Sequence, residues 1–206
     1  MEAQEDKVID TSNLSDTTPI PDLLSALHSA DEALSEVAVA ILRRLGEKAL
    51  EIPRQQLEED DGAIRAGAAW TLGMIGHLDA ASDLIKALDD EDLNVSTSAA
   101  WALGKIGDKW AIPALVAKLA NSKQADLREA AARALGDIGD KKAVKGLSNA
   151  LKKDKHFAVR EMAARSLGRI GGKRVSAPLE EALADNHTRV RKAAAAALSQ
   201  LESSDK

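Results

Sequence analysis

Ala68-Ala69-Trp70-Thr71-Leu72-Gly73-Met74-Ile75-Gly76 is a phrase that the chain says more than once. It returns as Ala-Trp-Ala-Leu-Gly-Lys-Ile-Gly ending at Gly107, as Ala-Arg-Ala-Leu-Gly-Asp-Ile-Gly ending at Gly139, and as Ala-Arg-Ser-Leu-Gly-Arg-Ile-Gly ending at Gly171. A worn copy, Ile-Leu-Arg-Arg-Leu-Gly, ends at Gly46, and a terminal one, Ala-Leu-Ser-Gln-Leu, ends at Leu201. The leucine of the phrase recurs at Leu42, Leu72, Leu103, Leu135, Leu167 and Leu198, in steps of 30, 31, 32, 32 and 31 residues.

Each period holds two apolar stripes. Ala111-Leu115-Leu119 recur at spacing four, as do Ala80-Leu84-Leu88, Ala143-Leu147-Leu151 and Val175-Leu179-Leu183. A polar link follows, and a second helix carries the phrase. The spacing predicts one antiparallel helix pair per unit. No single pair can bury its stripe alone, so about five to six pairs must stack into an all-α solenoid.

The two glycines of the phrase have separate expected roles. The first (Gly73, Gly104, Gly136, Gly168) costs a helix roughly 1 kcal/mol against alanine, so it marks a place where a neighbouring helix leaves no room for a side chain. The second (Gly76, Gly107, Gly139, Gly171) suits a left-handed residue that ends the helix. Pro178 falls well inside its stripe and predicts a kink. An apolar–Arg pair near the start of the second helix (Ile64-Arg65, Leu127-Arg128, Val159-Arg160, Val190-Arg191) predicts an ionic ladder between units, with Asp108 and Asp140 as acceptors. The pair reads Val95-Ser96 in one unit, which leaves a gap.

Residues 1–18 are polar and acidic and read as a disordered arm; residues 19–202 form the solenoid, and 203–206 a flexible tail. A helix from about Pro21, burying Leu23, Leu24 and Leu27, is the expected first cap. With no cysteine in 206 residues, disulfides, thiolate metal sites and cysteine nucleophiles are excluded. The start of the chain has no secretory pattern and no apolar run reaches membrane-spanning length, so a cytoplasmic location is the expectation. The net charge of −5 divides into −12 over residues 1–120 and +7 over 121–206.

The pattern Val-Arg-x-x-Ala-Ala-x-Ala-Leu-Gly-x-Ile-Gly-Asp resembles the short HEAT repeat of the phycobilin-lyase type over about residues 31–201. The resemblance implies a right-handed α-solenoid with the phrase-bearing helices on the concave side. It implies function loosely, because such repeats occur in bilin lyase subunits, in phycobilisome-degradation factors and in many bacterial and archaeal scaffolds.

On that arrangement the groove-facing positions can be read off. Trp70 and Met74 face it from one unit, and Trp101 and Lys105 from the next. Glu129 and Arg133 follow, then Phe157, Glu161, Arg165 and Arg169. Trp70 and Trp101 hold the same repeat position among small residues (Gly62, Ala63, Ala66, Gly67, Thr97, Ser98) and predict a recess with an apolar wall, the shape of a hot-spot pocket. Trp110, at the start of an outer helix, is expected to be structural. The charged residues beyond the tryptophans suit an amphipathic protein segment or an anionic planar ligand.

Catalytic and metal signals are thin. His156 and His187 are repeat equivalents in the turns before helices, where a capping role is expected. No histidine precedes a glutamate, which counts against the iron-binding His-Glu pairs of HEAT-repeat deoxyhypusine hydroxylases. No nucleophile–base pair and no cofactor site can be assigned. The expected function is therefore a non-catalytic scaffold binding another protein in its groove. The alternative is a lyase-like or phycobilisome-degradation-like protein handling a bilin or a phycobiliprotein. Nucleic acid is disfavoured by the overall acidity and the absence of tyrosine.

Overall fold

The computed structural model describes residues 14–204, and these contain twelve α-helices and no strand. In chain order they are α1 (Ile20–Leu27), α2 (Glu32–Leu45), α3 (Glu51–Gln56), α4 (Gly62–Ile75), α5 (Ala81–Ala87), α6 (Leu93–Ile106), α7 (Ile112–Asn121), α8 (Ala125–Ile138), α9 (Val144–Lys153), α10 (Phe157–Ile170), α11 (Ser176–Ala182) and α12 (Thr188–Ser204). They stack as six pairs. The even-numbered helices carry the phrase and the odd-numbered ones the outer stripe. Most of the arm read at residues 1–18, and the last two residues of the tail, lie outside the described residues. Residues 14–18 form a turn in which the Thr18 amide donates to the Ser15 carbonyl at 3.0 Å. Asp16 there pairs with Arg44 on α2.

The leucine of the phrase is the anchor of each unit. Leu42, Leu72, Leu103, Leu135 and Leu167 are completely buried, each contributing about 1.5–3 kcal/mol through burial. The outer stripes close the core from the other side, except at the end of the stack. Leu183 is expected to be buried like Leu88, Leu119 and Leu151, yet it is 44% exposed: among the described residues no later outer helix packs on it.

The first glycine of each phrase touches the next inner helix. A Cβ on Gly73 would lie 2.7 Å from the Ala102 Cβ, and one on Gly104 would lie 2.9 Å from the Ala134 Cα. Gly136 and Gly168 meet Ser166 and Ala197 in the same way. The second glycines end their helices at φ 72°, 76°, 71° and 69°, in the left-handed region that favours glycine. On the outer side the helices are looser, with clefts of about 630 Å³ between α7 and α9 and about 360 Å³ between α9 and α11. From α4 to α12 the phrase-bearing helices touch at every first glycine while these outer helices stand apart, so the stack bends toward the phrase-bearing helices, which line its concave surface.

Pro178 differs from expectation. A 3-10 turn over Lys173–Val175 opens the segment, and α11 begins only at Ser176. Pro178 thus lies in the first turn, where its missing N–H has no intrahelical acceptor to lose, and no kink is required.

The arginine ladder exists, but with other acceptors. The Arg65 guanidinium grips Asp90 through Nε and Nη2, both at 2.8 Å, and donates Nη1 to the Glu59 and Asp60 carbonyls. Arg128 takes Asp154 in the same fork at 2.6 and 2.9 Å, and Arg160 takes Asp185 at 2.8 and 2.9 Å. Arg191, in the last unit, reaches the Asp185 carbonyl and Thr188 and no carboxylate among the described residues. Asp108 and Asp140 instead cap the next turn, accepting the Trp110 and Lys142 amides. At Ser96 the rung is missing on both sides, since the acceptor position is held by Ser122, whose hydroxyl accepts the Gln124 amide as the aspartates accept theirs. A carboxylate left there alone would be costly to bury, whereas losing both partners is nearly neutral.

Candidate partner-binding groove

The concave surface is made by α2, α4, α6, α8, α10 and α12, and its charge follows from how these helices begin. Asp31, Asp61 and Asp92 cap α2, α4 and α6, each accepting a first-turn amide at 2.7–3.0 Å. Gln124 and His156 hold the same place before α8 and α10 without a capping bond. Capping carboxylates thus load the first half with negative charge.

Trp70 and Trp101, on α4 and α6, stack at 6.2 Å between ring centroids with planes only 9° apart. Both are half-buried, so the pair is neither sealed into the core nor free. The two rings lie against each other, so the expected recess is not between them. Lys105 Nζ lies 5.6 Å over the Trp101 ring, a cation–π contact. On the other side of Trp70 lies the His28 ring, 5.4 Å away. His28 is oriented by Nδ1, 2.8 Å from the Leu24 carbonyl, and by Nε2, 3.3 Å from the Thr71 hydroxyl.

The open space is one helix earlier, in a cleft of about 870 Å³ between α2 and α4. Trp70, Met74 and Val39 supply apolar wall, and Glu32, Glu36 and Arg43 the charge. A Cβ placed on Gly67, which also lines it, would meet nothing within 4 Å. The cause is legible in the phrase. Where every later full copy has glycine after its leucine, the first has Arg43. Its side chain cannot enter the contact that Gly73 makes with Ala102, so it crosses instead to the Met74 carbonyl, with Nε at 3.2 Å. With no glycine to admit it, α4 stands off from α2, and His28 fills part of the gap.

The remaining site residues read from the sequence form separate groups. Arg133 pairs with Glu129 on α8 at 3.7 Å, and Arg169 on α10 with Asp137 on α8. Phe157 does not join the tryptophans. It stacks between His156 and His187, at 5.3 and 3.8 Å, under the Arg189 guanidinium. Glu161 is only 4% exposed. Arg165 Nη2 lies 2.6 Å from its Oε1 and Arg189 Nε 2.7 Å from its Oε2, the latter too oblique to be a hydrogen bond, so Oε2 accepts none. These cations line a cleft of about 510 Å³ between α10 and α12. His187 caps as expected, Nδ1 accepting the Arg189 amide at 3.3 Å.

Trp110 is the clearest departure on the outside. It is 85% exposed, and Leu78, in the corresponding 3-10 turn one unit earlier, is 60% exposed. His28, Glu32, Glu36 and Arg43 were not among the expected site residues, although the missing glycine at position 43 signals their cleft. Among the described residues, no group of three or more His, Cys, Asp or Glu side chains is placed to hold a metal ion, and no helix is long and apolar enough to cross a membrane.

Known proteins give the same architecture. The complex of CpcE and CpcF of phycocyanin lyase from Nostoc sp. PCC7120 is similar over 94% of this chain and 80% of that one, with 25% identity and a TM-score of 0.58. A designed armadillo repeat protein in complex with the peptide (KR)4 is similar over 89% and 100%, with 20% identity and a TM-score of 0.59. An engineered protein is similar over 89% and 96%, with 24% identity and a TM-score of 0.57. No curated protein matches the chain in sequence. The profile of HEAT repeats matches residues 20–90, 50–132 and 112–199, which together take in nearly all of the solenoid. Twelve helices in stacked pairs, repeated at that period, belong to a protein of the HEAT-repeat family.

Proposed function

We propose that the protein is a non-catalytic scaffold that binds a segment of a partner protein along its concave groove. The observation that carries this is the half-buried Trp70–Trp101 stack, whose Trp70 ring lines an open cleft. Two indoles kept partly in water are an unfavourable arrangement for a lone chain and a favourable one for a partner that covers them. Repeat solenoids offer such extended inner surfaces generally. Replacing both indoles (Trp70→Ala with Trp101→Ala) should abolish capture of the partner that the intact protein retains from its source cells. Trp110→Ala, on the rim, should leave capture unchanged. Equal capture by all three proteins would remove this function from the groove.

A second reading has one specific support. Parallel indoles next to Lys105 suit a flat, apolar ligand bearing carboxylates, and a phycocyanin lyase complex is among the similar structures. On this reading the groove handles a bilin or a bilin-bearing protein. Mixing the protein with a free bilin should then shift the pigment's visible absorbance, and the shift should vanish with the two indoles; an unchanged spectrum, alone and with a phycobiliprotein subunit, would sink it.

A further inference from the structure

The charged groups of the groove are engaged within the chain in its middle and left over at its ends. In the middle, Lys105 lies over Trp101, Arg133 pairs with Glu129, and Arg169 pairs with Asp137. At the first end, Glu32 and Glu36 line the α2/α4 cleft. Neither has an ion-pair partner among the described residues. The one cation beside them, Arg43, spends its Nε on a carbonyl. At the other end, Arg165 and Arg189 converge on the single buried carboxylate of Glu161, and Lys192 beside them has no ion pair among the described residues. One carboxylate between three cations leaves that cleft an excess of positive charge. Its floor is small and apolar, formed by Ala193, Ala196 and Ala197.

We infer that the groove is charge-ordered: it takes an extended segment of a partner protein, basic at the end that enters the α2/α4 cleft and acidic at the end that enters the α10/α12 cleft. This rests on the groove reading above and adds the chemistry of the occupant. The first cleft offers an arginine or lysine a flat indole face at Trp70 and two carboxylates, the combination that a cation–π contact and an ion pair use together. The second offers a carboxylate two guanidinium groups and an ammonium group. An α-helix is about 10–12 Å across with its side chains and cannot enter a gap between adjacent helices, whereas side chains of an extended segment can. The two clefts are four inner-helix steps apart. At about 10 Å per step, that is about 40 Å, or about 12 residues of extended chain.

The test uses three labelled peptides of 14 residues and measures binding by fluorescence anisotropy at low salt. The first carries two arginines at one end and two glutamates at the other, joined by a neutral apolar–polar spacer. The second has the same composition with the four charges side by side in the middle. The third has four glutamates. The first should bind about tenfold or more tighter than the second, because only it reaches both clefts at once, and tighter than the third. Glu36→Lys and Lys192→Glu, both at exposed positions, should each remove most of that advantage while leaving the thermal unfolding midpoint in place. Equal binding of the first two peptides, or no binding of the first, would overturn the charge order. If the first two bind equally but both lose binding with Trp70→Ala/Trp101→Ala, the charge order fails and the groove as a binding surface stands.

Discussion

Gly136→Val is expected to destabilise the protein by about 3 kcal/mol or more, the upper range for forcing a side chain into a packed contact. The Cβ alone would lie 2.4 Å from Ser166 Oγ, 2.6 Å from its Cβ and 2.9 Å from its Cα. The last is backbone and cannot rotate away. Ser166 is itself held, completely buried, by its hydroxyl donating to the Ala132 carbonyl at 2.8 Å. The added methyl groups therefore have to push α8 and α10 apart. The gain in helix propensity over glycine, about 0.5 kcal/mol, does not offset this. Gly67→Ala is the opposite case on the same type of helix. Nothing lies within 4 Å of its Cβ, so it should stabilise by up to about 1 kcal/mol. Urea unfolding of the two variants should move in opposite directions. A Gly136→Val protein unfolding with the native one would mean that the inner helices are not in backbone contact.

Arg160→Met should cost about 3 kcal/mol, at the lower end for breaking a buried ion pair, because Asp185 keeps some contact with water. Nε and Nη2 grip the Asp185 carboxylate, Nη2 also reaches Asn186 Oδ1 at 2.7 Å, and Nη1 donates to the Asp154 carbonyl at 2.9 Å. Losing the arginine leaves Asp185 with the His187 amide, at 2.8 Å. Adding Asp185→Asn should recover part of the loss, as the chain already manages an uncharged pair at Ser96 and Ser122; a coupling of about 1 kcal/mol or more marks a true pair. The rungs also set the response to acid. The hydrogen bond from Arg160 holds the Asp185 carboxyl below the usual carboxylate range, against the opposing effect of burial, and Arg65 does the same for Asp90. At Asp154 burial pushes upward most strongly, yet the bonds from Arg128 and the His156 amide bring the net shift down. These carboxyls bind protons more readily unfolded than folded. Their stabilisation is complete above about pH 4 and is lost as pH falls through the lower folded values. Urea unfolding at pH 5 and pH 3 should show the loss, and Arg160→Met should shrink it.

The repeat frame was open to reading because a period of 31 or 32 residues leaves few ways to bury the stripes. Both glycine roles and the burial of Leu23, Leu24 and Leu27 followed from that frame. The acceptors of the ladder did not. An aspartate directly after the phrase, such as Asp108, and one before the next inner helix, such as Asp90, are equally regular in sequence, and only the approach of the arginine from the helix start separates them. The joint absence at Ser96 and Ser122 was the available clue. The groove was read in its middle and missed at its first end. The tryptophans stand out by size, whereas the cleft beside them arises from an omission, the glycine replaced by Arg43, and from His28, which lies outside the repeat. The stacking of the two indoles also follows from side-chain orientation, which repeat position alone does not supply.

Each rung spans 25 or 26 residues and each glycine contact 29 or 30, so both reach no further than the adjacent unit. A gene that gained or lost one whole unit would therefore encode a longer or shorter trough with its seams intact. The distance between the two charged ends could be reset by recombination in increments of about 10 Å, without any residue at either end having to change.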